Sequence, residues 1–124
     1  MAASTTLHEP ADALPASAVD LHRALTSLQE ELEAVDWYNQ RSLATTDAEL
    51  SAVLAHHRDE EKEHAVMLME WIRRRDPKFD EHMRTYLFTE EPITEVEREA
   101  EHEGGGEAGT GSLQLGSLRE EITR

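Results

Sequence analysis

There is no cysteine in this chain, and that absence removes disulfides, thiolate metal sites and thiol catalysis together. Long apolar runs are missing too: no stretch approaches the roughly 20 residues a membrane-spanning helix needs. Residues 1–6 lack a basic segment followed by an apolar one, so no secretory signal is legible and a soluble, cytoplasmic protein is expected. Bases are scarce, 12 against 27 acids, for a formal charge of −15. Such a chain is a poor partner for duplex nucleic acid or anionic membrane, and a natural one for cations. Apolar residues make up only 38% of 124. One small domain with a modest core follows, and that favours self-association.

What is present is helical periodicity. Over residues 16–43, Leu21, Leu25, Leu28, Leu32 and Val35 recur at the spacing of a bundle helix, after a polar lead over residues 1–13 and Pro15. Thr46-Asp47-Ala48-Glu49 has the form of a capping box, with Thr46 as N-cap. A second helix is expected over residues 47–75, ending at Asp76-Pro77. So short a connection turns it back antiparallel along the first. Each helix would be about 40 Å long, too long for a two-helix domain to cover alone.

Asp76 can cap a shorter third helix that begins at Pro77 and carries Phe79, Met83, Tyr86, Leu87 and Phe88, with Pro92 ending it. This gives a helical hairpin domain over residues 14–94. An acidic, Gly-rich linker then spans 95–110, including the flexible Glu103-Gly-Gly-Gly-Glu run, and a tail spans 111–124. That tail holds a small repeat, Gly111-Ser112-Leu113 and Gly116-Ser117-Leu118, with Leu115 between. A short apolar peptide on a glycine tether is either an ordinary disordered tail or a docking peptide that orders on a partner.

The chemistry concentrates in Arg58-Asp59-Glu60-Glu61-Lys62-Glu63-His64. Glu61 and His64 stand one turn apart on one face, within the apolar stripe of Leu50, Val53, Leu54, Leu68, Trp71 and Ile72. A charge there needs a compensating partner: either a Glu–His core pair or a metal satisfies the requirement. Helix one offers one acid on its inner shoulder, Glu31, at the same distance from the turn as Glu61. Four-helix di-iron sites use one Glu from each of two helices and a Glu-x-x-His from each of two others. This chain supplies half that set, and an antiparallel pair of hairpins supplies all of it. The expected fold is therefore all-α, a hairpin with a short third helix that dimerises into a ferritin-like four-helix bundle. Carboxylates with imidazole and no sulfur suit iron or manganese, with zinc as an imitator. Glu30, Glu33 and Trp37 lie on the opposite side of helix one, and Trp37 marks either a second contact surface or packing against the chain's own tail.

Three runs resemble the encapsulated ferritins: Glu30-Glu31-Leu32-Glu33-Ala34-Val35-Asp36-Trp37-Tyr38, Asp59-Glu60-Glu61-Lys62-Glu63-His64-Ala65 and Met83-Arg84-Thr85-Tyr86-Leu87-Phe88-Thr89-Glu90. The likeness covers about residues 7–94. The segment from Gly111 to Arg119 resembles the targeting peptide by which cargo docks inside encapsulin shells, with Leu113, Leu115 and Leu118 as its anchors and Gln114 as a departure.

The resemblance implies Glu31, Glu61 and His64 as ferroxidase ligands of a di-iron centre completed by a second chain, with Tyr38 beside it. It implies an entrance for metal at Glu30, Glu33 and Trp37, and secondary metal positions at His56, Glu60 and Glu63, a stripe that otherwise reads as a solvated acidic face. His57 reads as a core or supporting histidine and not as a ligand. The implied assembly is a ring-shaped decamer built of five dimers, inside an encapsulin nanocompartment. A peroxide-consuming di-metal enzyme would use the same ligands, and a non-catalytic acidic adaptor docked by its tail is the other alternative.

Overall fold

The computed structural model describes residues 6–106, with side chains to residue 103. It is all-α: among the described residues there are four α-helices, one 3-10 turn at Ala11–Ala13 and no strand. The chain divides into two compact units, one up to Arg75 and one from Asp76. Residues 111–124, with the proposed anchor leucines Leu113, Leu115 and Leu118, lie outside the described residues.

The first unit is a hairpin of α1 (Ala16–Ala44) and α2 (Ala48–Arg75). Small residues let the two helices approach closely: Ala24 and Ala65 are buried, beside Ile72, the largest fully buried side chain. Near the turn, two serines tie the helices reciprocally. Ser42 Oγ donates to the Ser51 carbonyl at 2.9 Å, and Ser51 Oγ donates to that of Ser42 at 2.8 Å. Farther from the turn, Arg58 donates to Asn39 Oδ1 across the pair at 3.0 Å.

The cap of α2 differs from the sequence expectation. Asp47, not Thr46, is the N-cap: its carboxylate accepts the Leu50 amide at 2.9 Å. A charged acceptor suits the positive end of the helix better than a hydroxyl. Thr45 meanwhile accepts the Asp47 amide and tightens the turn.

The apolar stripe of α2 is only partly covered within one chain. Leu50 is 47% and Val53 45% exposed, and Leu32, Trp37, Val66 and Met67 are also open. Long faces left bare in this way are what a hairpin needing a second chain presents.

The second unit holds α3 (Pro77–Tyr86) and α4 (Ile93–Gly106). Asp76 caps α3 as expected, accepting the amides of Lys78 and Phe79. The helix is shorter than the sequence suggested: it stops at Tyr86, and Phe88 adopts a left-handed φ of 63°. For a bulky side chain that conformation costs roughly 1–3 kcal/mol. Thr89 Oγ1 donates to the Tyr86 carbonyl at 2.7 Å and helps hold it. Pro92 opens α4 instead of closing α3, its carbonyl receiving the amides of Glu95 and Val96. The acidic run over residues 95–103, readable from the sequence as a frayed helix within the linker, lies in α4. Burial first, then the charges of Glu97 and Glu101, holds the Tyr86 phenol above its usual range.

Candidate metal centre

Position on the hairpin decides which carboxylates converge. Glu31 near the middle of α1 and Glu61 near the middle of α2 come to the same level, and His64 follows Glu61 by one turn. His64 Nδ1 lies 3.5 Å from Glu31 Oε2 and 3.6 Å from Glu61 Oε2. One ligand atom from each of the three falls within 4.8 Å of the others, the only such group of three or more among the described residues.

Glu31 Oε2 is buried and has no hydrogen-bond partner. The neighbouring Glu61 carboxylate, then burial, pushes the Glu31 carboxyl above its ordinary range against the smaller pull of His64. Two crowded carboxylates, one with an orphaned oxygen, beside an imidazole form a donor set that fits a hard or borderline divalent ion.

Glu31 raised above 4.5 means that the folded chain holds its proton more tightly than the unfolded one. Without metal, its ionisation therefore destabilises the fold above the raised pKa, and acidification toward 4.5 relieves this. Glu31→Gln is expected to raise the melting temperature of the metal-free protein at neutral pH. The gain should vanish below about pH 4, where the wild-type carboxyl is neutral in both states. A melting series against pH checks this, and metal-induced stabilisation should disappear in the same variant.

The other residues singled out in the sequence fall elsewhere. The Tyr38 ring meets His57 edge-on at 5.3 Å, with the Arg41 guanidinium 5.6 Å from its centroid. His56 pairs with Glu60 on the exposed side of α2, and Glu63 does not join them in a three-residue cluster. Glu30 and Trp37 are exposed and Glu33 is half-buried, and neither acid belongs to the converging group. Sequence reasoning missed the Ser42–Ser51 tie, since two serines in a helical pattern carry no signal before the helices are paired.

The model of the EncFtn-like family matches residues 6–90. The chain belongs to the EncFtn-like family. This EncFtn-like chain is 56% identical over 127 aligned residues to the encapsulated ferritin-like protein of Rhodospirillum rubrum, covering 95% of this chain and 91% of that one. It is 51% identical over 111 residues to a ferritin-like protein of Thermotoga maritima, covering 90% and 96%. Among solved structures, the crystal structure of a protein from Nitrosomonas europaea is similar with a TM-score of 0.68 and 61% identity, over 70% of this chain and 96% of that one. Glu31, Glu61 and His64 all fall inside the segment matched to the family.

Proposed function

We propose that this protein is a ferroxidase whose substrate, Fe(II), binds where two chains meet. The observation that carries the reading is the half-set of ligands: two carboxylates and one imidazole converge within 4.8 Å, and a buried Glu31 oxygen lacks a partner. Two chains related by a two-fold axis would bring four carboxylates and two imidazoles to one centre, the composition of four-helix di-iron sites. By analogy with those sites, Glu61 would be shared between two ions, and Glu31 and His64 would each help hold one. Two Fe(II) give one electron apiece to dioxygen, which takes two protons and leaves as hydrogen peroxide. Glu30, Glu33 and Trp37 would receive incoming iron, Tyr38 would tune the centre from its place beside His57, and His56, Glu60 and Glu63 would hold ions in transit.

The encapsulated relative and the likeness of residues 111–119 to a targeting peptide support a further part of the reading. The protein would act as cargo of an encapsulin shell in the cytoplasm, assembled as a ring-shaped decamer, and deliver Fe(III) for storage there.

Sedimentation with and without Fe(II) tests the shared site. Wild-type protein should move to a larger species when Fe(II) is added without oxygen, and His64→Ala should not. Assembly indifferent to iron, with oxidation at the uncatalysed rate, would leave only an acidic adaptor. Turnover with peroxide but not with air would make it a peroxide-consuming enzyme.

A further inference from the structure

The second compact unit has an apolar patch that its own two helices leave uncovered. At the turn between α3 and α4, Leu87 is 47% and Phe88 88% exposed, and Ile93, which opens α4, is 71% exposed. Phe88 adopts a left-handed φ of 63°, and its ring stands out in solvent.

The chain itself provides a cover of the right chemistry. Residues 111–119 carry three apolar side chains, Leu113, Leu115 and Leu118, followed by one cation, Arg119. From Gly106 to Leu113 the backbone spans at most about 23 Å when extended. The 14 residues of α4 occupy about 20 Å, so the tether is long enough to bring the leucines back to the start of that helix. Charge favours the same path, because α4 carries Glu95, Glu97, Glu99, Glu101 and Glu103 against one base, Arg98.

We infer that Leu113, Leu115 and Leu118 rest on the patch of Leu87, Phe88 and Ile93 in the same chain, with Arg119 against the acidic side of α4. The tether raises the local concentration of the leucines to the millimolar range, enough to hold a small patch without locking it. The leucines engaged there are unavailable to any outside partner, so self-docking and docking elsewhere exclude each other. The inference uses none of the metal ligands: a Glu31→Ala chain should behave identically in its test, which separates its failure from that of the ferroxidase reading.

Hydrogen exchange on the full-length chain decides it. In wild type, amides of residues 87–91 should exchange several-fold more slowly than in a Leu113→Ser, Leu115→Ser, Leu118→Ser variant, at every protein concentration. Phe88→Gly removes the ring while glycine keeps the left-handed turn without strain. In that variant, amides of residues 113–119 should exchange several-fold faster than in wild type. Equal exchange in all three proteins would overturn the inference. Protection of residues 87–91 that grows with concentration and survives the serine substitutions would overturn it in favour of a second copy covering the patch.

Discussion

Glu61→Ala is expected to bring oxygen-dependent oxidation of Fe(II) down to the uncatalysed rate, a loss of about 100-fold or more. The size of the effect follows from sharing. A centre on a two-fold axis loses two carboxylates for every substitution made in the chain, and Glu61 is the residue proposed to bridge. Stopped-flow absorbance of Fe(III) formation measures it, with Glu30→Ala as the control. Removing an entrance carboxylate should slow the reaction at low Fe(II) and leave its saturated rate nearly intact. A Glu61→Ala protein that keeps most of the wild-type rate would refute the site. The variant should remain folded, since the substitution also removes the charge that crowds Glu31.

Ile72→Ala is expected to cost about 2–4 kcal/mol, the largest stability loss available from one side chain of the hairpin. Only Ala24, Ala65, Ile72 and Ser42 are buried among the described residues, and Ile72 is the one large side chain that is fully so. With so small an interior within one chain, a cavity there has few neighbours that can relax into it. A melting temperature lowered by about 10–25 °C at fixed protein concentration is the expected reading. If the change is only a degree or two, the hairpin's stability lies in contacts between chains and not at the α1–α2 seam.

The hairpin and the convergence of Glu31, Glu61 and His64 were legible in the sequence because both rest on periodicity. Glu61 and His64 fall on one face at 100° per residue, and the equal spans to the turn level Glu31 with Glu61 in any antiparallel pairing. The end of α3 was not legible, because nothing in Leu87-Phe88-Thr89 announces a left-handed residue that only a glycine or asparagine would normally signal. The N-cap was misplaced by one residue, since Thr46 and Asp47 are both good caps and tertiary geometry chooses between them. The Tyr38 ring, two turns along α1 from Glu31, meets His57, a contact that helical periodicity alone does not announce.

The paired hydroxyls of Ser42 and Ser51 have a bearing on chemistry far from where they sit. By pinning the two strokes of the hairpin at one end, they fix the phase of each helix against the other. Glu31 and Glu61 inherit that phase more than two turns away. One residue slipped through the turn would leave both rods intact yet swing Glu61 by about 100° around its axis, out of His64's company with Glu31. The turn thus acts as a vernier: how well Glu31, Glu61 and His64 converge depends on two small side chains that stand well away from them.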